Sequence, residues 1–184
     1  MQFARGLSTV RLSAMPMSCA ILMAMGTDQH VEQAWETPSL EEIPVITKAH
    51  VAGLEATNDD AAWILAGMHH VIITTLGRKS GAEHKVALPF WRDPDGLRVV
   101  VASFAGAPQH PSWYLNLADR DANPEVRCRV QNGEFWSVPE ILEGDEHARI
   151  WGLLVEDRAW YSNYQAKTER TIPLVRLPET RPVS

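Results

Sequence analysis

Cysteine is scarce in this chain of 184 residues: it has two, Cys19 and Cys128, and no pair at CxxC spacing. That excludes a disulfide framework and a thiol-based zinc or redox motif, which need clustered cysteines, and it fits a reducing cytoplasm. A basic surplus is also lacking. Lys and Arg number 17 against 23 Asp and Glu, a net charge of −6, which is the wrong sign for general nucleic-acid binding. Any cationic site must be local. Long apolar runs are missing as well: "RLSAMPMSCAILMAMG" is broken by Pro16 and Ser18 and falls short of the about 20 apolar residues that span a bilayer. No stable membrane insertion is expected, although peripheral contact stays open. Residues 1–26 read as disordered, as a weak targeting segment, or as sequence ahead of a downstream start among Met15, Met17, Met23 and Met25.

The usual catalytic signatures are absent too. The chain has no GxSxG, no HExxH and no cysteine beside a base. Its seven histidines invite a metal, but His69 and His70 point to opposite faces of a strand and no acidic ligand sits at useful spacing. No metal site is expected.

What is present is enough apolar sequence, 45% of residues, to bury one core. Residues 27–60 are polar and acidic in patches and read as an arm with one or two helical turns, placed to cover a substrate mouth or wrap a partner subunit. Residues 61–184 form the folded domain. A short helix capped by Asp59 or Asp60 precedes Gly67, and "HVIITT" reads as a buried strand. After the turn Gly77 to Gly81 come strands at His84 to Trp91 and, past the tight turn "DPDG", at Leu97 to Ser103. Ser112 caps a short helix to Arg120, and Asn132-Gly133 closes a hairpin between "EVRCRVQ" and "EFWSVPEILE". Glu143, Asp145 and Glu146 open a helix ending near Arg158, with His147, Ile150, Trp151 and Leu154 on one face. "WYSNYQAKT" is a second short helix or a connection, and "IPLVRL" is a final strand. The sum is an α+β, mainly β domain: about six antiparallel strands with one main helix before the last, rather than a doubly wound sheet.

Three stretches carry the functional signal. "GRKSG" brings Arg78, Lys79 and Ser80 between two glycines, with His84 and Lys85 beyond, the ingredients of a phosphate or carboxylate site or of a solvated basic turn. In a strand His84 and Lys85 point to opposite faces, so only one of them shares the turn's anion. "ASFAGAPQHPSWYLNL" ends a strand in small residues and then supplies Trp113 and Tyr114, for stacking or for the core. "WYSNY" places Tyr161 and Tyr164 on one helical face, as pocket wall or as packing.

In order and spacing, "TTLGRKSG", "VVVASFAGAPQHPSWYLNL", "ANPEV" and "YQAKTERTIPLV" resemble the deazaflavin-dependent nitroreductase family of split β-barrel flavin and deazaflavin oxidoreductases, over roughly Ile72 to Leu177. The resemblance implies an FMN-binding-like split β-barrel and coenzyme F420, a deazaflavin whose tail bears phosphate and glutamates. It assigns Arg78, Lys79 and Ser80 to that tail and the segment His84, Lys85, Val86, Ala87, Leu88 and Pro89 to a strand passing the coenzyme. Ala102, Ser103 and Phe104 become strand-end contacts, and Ser112, Trp113, Tyr114, Leu115 and Asn116 a helix beside the ring system. Trp160, Tyr161 and Tyr164 wall the substrate, and Ser103, Tyr161 and Tyr164 act near the transferring centre. Family members often carry Arg at the position of His84, Lys at that of Phe104, and in some cases an aromatic at that of Pro89. The implied reaction is hydride transfer from the reduced coenzyme to a nitroaromatic, quinone or activated enone, with the cofactor supplying the chemistry. The alternatives are an FMN-dependent oxidoreductase on the same barrel and a non-catalytic protein that holds the deazaflavin or a lipophilic ligand. Monomer and homodimer are both open.

Overall fold

Pro89 and Pro139 each stand where the chain leaves one sheet for another. Proline has no N–H to give a ladder, so it interrupts pairing. In the computed structural model, which describes residues 32, 33 and 35–183, strand β3 (Glu83–Pro89) ends at Pro89 and β4 (Trp91–Arg92) continues in the other sheet. Likewise β7 (Gly133–Ser137) stops before Val138-Pro139, and β8 (Glu140–Ile141) resumes across the corner. The continuous strands expected over His84 to Trp91 and through "EFWSVPEILE" are thus corrected to broken ones. The breaks split the β-structure into two sheets.

The remaining strands are β1 (Ile64–Leu65), β2 (Met68–Leu76), β5 (Arg98–Val101), β6 (Val126–Val130), β9 (Leu174–Leu177) and β10 (Arg181–Pro182). The six-stranded sheet runs β1-β2-β6-β7-β10 with β3 also on β2, and the four-stranded sheet runs β4-β5-β9-β8. All of these pairings are antiparallel. The six strands read from the sequence are the ones of four or more residues, and the four others are two-residue pairings. The architecture is split-barrel-like, mainly β with helices.

Alternation along the strands builds three apolar layers. Val71 and Ile73 of β2, Val100 of β5 and Val175 of β9 meet between the sheets, joined by Cys128 and Phe135. Val99 and Val101 of β5 face the other way, onto helices α4 (Gly144–Asp157) and α5 (Trp160–Gln165) through Ile150, Leu154 and Tyr161. Ile72 and Ala87 look outward onto α1 (Ile43–Ala56) and the one-turn α2 (Asp60–Trp63), where Val51, Leu54 and Trp63 cover them. Covered on both faces, β2 is apolar on both sides at its centre, Val71 to Ile73.

The arm is more ordered than the sequence reading held. Instead of one or two turns it carries the 14-residue α1. Ser39 and Glu42 form a reciprocal capping pair just ahead of it: the Ser39 N–H and hydroxyl donate to the Glu42 carboxylate at 2.9 and 2.7 Å. Pro44 then sits in the first turn, where its missing N–H costs nothing. The expectations for residues 1–26, Cys19 among them, lie outside the described residues.

The helix expected over Ser112 to Arg120 is α3 (Ser112–Ala118), and its cap is Pro111, whose carbonyl accepts from the Tyr114 and Leu115 N–H groups. Ser112 is therefore the first helical residue and not the cap. On α4, the acidic start has a structural use. Glu146 pairs with Arg149 at 2.9 Å and with the buried Arg176 at 2.5 Å, and Arg176 also reaches Asp93 at 2.6 Å. The two arginines hold the Glu146 carboxyl down at about 2, so it does not serve as a general acid.

Candidate functional site

The β2–β3 connection, Gly77 to Ala82, is a tight turn closed by Gly77 N–H to Ala82 O at 2.8 Å and Gly81 N–H to Gly77 O at 2.7 Å. Gly77 leaves room that no other residue would: a Cβ there would lie 2.5 Å from Ser80 Oγ and 2.8 Å from His84 Nε2. Two amides anchor the turn to the body. Asn123, 2% exposed, accepts from the Leu76 N–H at 2.7 Å and donates to the carbonyls of Leu76 and Asn116 at 2.9 and 2.8 Å. Asn116 in turn accepts from both the Arg78 N–H and its guanidinium, at 3.3 and 3.2 Å.

The cations of this turn differ in what they have left to offer. Lys85 is engaged by Glu55 of α1 at 2.7 Å and by Glu83 at 3.8 Å. Arg78 and Lys79, both exposed, meet no carboxylate among the described residues. Their charge faces a cavity of about 650 Å3, within the range of small-molecule and cofactor sites.

Across that cavity, β5 ends at Val101 and leads through Ala102 and Ser103 into a single 3-10 turn, Phe104–Gly106. Phe104 and Ala105 hold left-handed conformations, φ +47° and +54°, and Gly106 follows at +83°. L residues avoid this region, and such strain concentrates at ligand sites. Gly106 is also pressed against α5, since a Cβ on it would lie 2.5 Å from the Tyr164 carbonyl oxygen. Arg170 binds the turn from behind, donating to the carbonyls of Ser103, Ala107 and Ala102 at 2.7, 2.9 and 3.3 Å.

The arm closes the third side. Thr37, Pro38, Ile43, Pro44 and Thr47 line the cavity. The Thr37 hydroxyl and the Tyr164 phenol are 3.1 Å apart, Gln33 donates to Thr37 at 3.2 Å, and Trp35 meets Trp160 edge-on at 5.3 Å.

Of the residues singled out in the sequence, Arg78, Lys79, Ser80, His84, Lys85, Val86 and Leu88 line the cavity from the turn and β3. Ser103 and Phe104 line it from the strained turn, Ser112, Trp113 and Asn116 from α3, and Tyr164 from α5. Ala87 does not: in a strand its side chain points opposite to Val86 and Leu88, into the layer under α1. Ala102 is fully buried, and Pro89, Tyr114 and Leu115 stand off the lining. Trp160 and Tyr161 sit beneath the wall, in the core with Ile150 and Leu154, and burial pushes the Tyr161 phenol up from its ordinary pKa.

Sequence reasoning left out the residues that hold the site. Asn123 and Arg170 touch no cavity surface, yet each ties a lining turn down; "ANPEV" and "TERTIPLV" contained them without revealing why. The arm residues had a signal that went unread, Ser39-x-x-Glu42 followed by Pro44, which marks a helix start. Cys128 is buried in the layer between the sheets, and burial pushes its thiol up to about 12. Among the described residues no group of His, Cys, Asp and Glu could hold a metal ion.

The two-sheet fold and this cavity first define a class: a split-barrel-like protein with a cavity that is cationic at the Arg78–Lys79 turn and apolar along Val86, Leu88, Phe104 and Trp113. The comparisons then give the family. The sequence model of the F420H(2)-dependent quinone reductase family matches residues 46–179. The F420H(2)-dependent quinone reductase Rv1261c of Mycobacterium tuberculosis is 34% identical over 110 residues, covering 58% of this chain and 71% of that protein. A solved F420-H2 dependent reductase, FDR-A, is 37% identical over 59% of this chain and 93% of its own, with a TM-score of 0.50. A second solved structure, described only as a domain-swapped dimer, is 32% identical over 76% of this chain and all (100%) of its own, with a TM-score of 0.51. The chain belongs to the F420H(2)-dependent quinone reductase family, a family of oxidoreductases. The family match begins inside α1, well before the Ile72 from which the sequence resemblance was traced.

Proposed function

We propose that the protein is an F420H2-dependent reductase that delivers a hydride to a quinone. The observation that carries this is one cavity with two cations, Arg78 and Lys79, that meet no carboxylate among the described residues at one end and Trp113, Val86, Leu88 and Phe104 on its apolar walls. Those residues fit the coenzyme. Arg78, Lys79 and Ser80 would hold the phosphate and carboxylates of the tail, through charge-assisted hydrogen bonds that the exposed turn leaves available. The apolar walls would take the ring system. When bound, the reduced deazaflavin supplies the hydride. The protein's share is to orient and to exclude water. Ser103 sits where the strained turn meets the cavity, and Tyr164 offers a phenol that Thr37 orients from the arm. Tyr164 is the assigned donor to the acceptor's oxygen, and Thr37 fixes its direction. The acceptor class, quinone rather than nitroaromatic or enone, follows the activity for which the Mycobacterium tuberculosis relative is named. The enzyme works in the cytoplasm, in keeping with a cysteine-poor sequence whose Cys128 is an unpaired buried thiol, and no described helix is long and apolar enough to cross a membrane.

The test is a titration with F420 read by tryptophan quenching, with FMN in a parallel cell, followed by F420H2 oxidation in the presence of a soluble naphthoquinone. Micromolar or tighter F420 binding, weaker FMN binding and quinone-dependent turnover are expected. Preference for FMN would overturn the coenzyme assignment. Tight F420 binding without turnover of quinones, nitroaromatics or enones would make the protein a carrier of the coenzyme instead.

A further inference from the structure

The turn at Ser103 to Gly106 is held in a shape its own residues resist. Phe104 and Ala105 are left-handed at φ +47° and +54°, and the turn's internal bonds are two, Gly106 N–H to Ser103 O at 3.0 Å and Ala107 N–H to Phe104 O at 2.9 Å. Strain of this kind persists when the surroundings over-determine it. Arg170 does so from a distance in sequence. Its guanidinium reaches the carbonyls on both sides of the strained residues, Ala102 and Ser103 before them and Ala107 after them. Its fork also donates to His110 Nδ1 at 3.3 Å, so that nitrogen accepts. A planar fork with five donors spans several carbonyls at once, which an ammonium does not.

Arg170 is itself held in place. Gln165 of α5 donates to the carbonyls of Arg170 and Thr168 at 2.8 and 3.2 Å and accepts from the Ile172 N–H at 3.0 Å. The segment carrying Arg170 is thereby fastened to the helix that carries Tyr164, and Gly106 lies so near Tyr164's own carbonyl that a Cβ there would stand 2.5 Å from its oxygen. Two walls of the cavity meet at one guanidinium.

We infer that Arg170 is a positioning residue for the reaction: it fixes Ser103 and Phe104 relative to Tyr164 and so sets the gap in which coenzyme and acceptor meet. The inference rests on the function proposed above. It assigns Arg170 no contact with either ligand.

Four proteins test it: wild type, Arg170→Gln, Arg170→Lys, and Arg170→Gln combined with Ala105→Gly. Hydrogen exchange of the Gly106 and Ala107 amides, measured without any ligand, reads the turn itself. F420 affinity by tryptophan quenching reads the cationic end. Steady-state kcat and KM with a naphthoquinone read the chemistry. In Arg170→Gln the two amides should exchange about tenfold faster or more and kcat should fall by roughly 10- to 100-fold, since several carbonyls lose a charged partner. F420 affinity should stay within about threefold, because the Asn116 and Asn123 anchors are untouched. Arg170→Lys should restore little. Ala105→Gly should return about tenfold of the lost kcat, since glycine takes a left-handed φ without steric cost.

Unchanged kcat alongside faster exchange would reduce Arg170 to a structural bond and overturn the inference. So would a loss of F420 affinity matching the loss of kcat, or a failure of Ala105→Gly to restore activity. Should Arg170→Gln fail to fold, the same measurements on Arg170→Lys decide. If wild type shows no quinone turnover, the functional reading fails by itself; unchanged exchange in the variants would then separately remove Arg170's hold on the turn.

Discussion

The cationic turn from Gly77 to Ala82 is tied down by uncharged side chains, Asn116 and Asn123, whereas the apolar turn from Ser103 to Gly106 is tied down by a charged one, Arg170. The difference explains what each wall presents. Amide anchors leave the charges of Arg78 and Lys79 unspent, so they face the cavity with their full attraction for an anion. Arg170 spends its donors on backbone carbonyls behind the wall, so the surface in front stays apolar although a charge lies beneath it. One wall is built to bind and the other to hold a shape.

The largest expected effect tests the binding wall. Arg78→Ala with Lys79→Ala should lower F420 affinity about 1000-fold, as two charge-assisted contacts of about 2 kcal/mol each are lost. Both residues are exposed, so the melting temperature should hardly move. Unchanged affinity in a titration would take the turn out of the coenzyme site and leave the comparison without its first half.

The shape-holding wall answers to Gly106→Ala. Its Cβ would stand 2.5 Å from the Tyr164 backbone oxygen, at a φ of +83°, and backbone has little room to give. A loss of roughly 3 to 4 kcal/mol in urea unfolding is expected from clash and left-handed strain together. A variant as stable as wild type would show that the turn is not braced against α5.

Acid gives a control that touches neither turn. His70 is buried beneath α1 with its ring 4.7 Å from that of His50, and burial first, then His50, lowers its pKa from 6.5 to about 4. The folded chain keeps His70 neutral in that interval while the unfolded chain takes up a proton. His70's contribution to stability is therefore full above pH 6.5 and is lost as pH drops toward 4, by about 3 kcal/mol. His70→Phe should flatten this slope in urea titrations across the interval while leaving F420 affinity at neutral pH unchanged. Equal slopes in both proteins would assign the acid loss to other groups.

The two turns also differ in how far the sequence revealed them. Arg78, Lys79 and Ser80 are contiguous and flanked by glycines, so a local reading found them. What anchors them, Asn123, acts across 47 residues, and Arg170 acts on Ser103 across 67; no local pattern encodes such a bond. Strands were legible through runs of β-branched residues, as at Val71, Ile72 and Ile73, whose side chains pack on opposite faces of the sheet. Their corners were not, because Pro89 lies inside the apolar run Val86 to Trp91 and Pro139 inside the strand-like "EFWSVPEILE", and both were read through. Trp160 and Tyr161 were taken for wall because an aromatic cluster reads the same whether it faces a cavity or a core.

Gly77→Ala is the smallest effect and the sharpest comparison. Like Gly106, Gly77 has no room for a Cβ, with contacts at 2.5 and 2.8 Å, but those contacts are Ser80 Oγ and His84 Nε2, the movable ends of exposed side chains. Its φ also lies outside the left-handed region. The added methyl should therefore cost about 1 kcal/mol of stability or less, because the side chains swing away and no backbone must shift. Swinging them away disturbs the groups assigned to the tail, so F420 affinity should fall about tenfold. Two glycine-to-alanine changes then separate the walls: at 106 the loss appears in unfolding, and at 77 it appears in binding. Equal unfolding losses at both positions would mean that the cationic turn is as rigidly braced as the strained one, and that its charges are held in place rather than left free to close on a ligand.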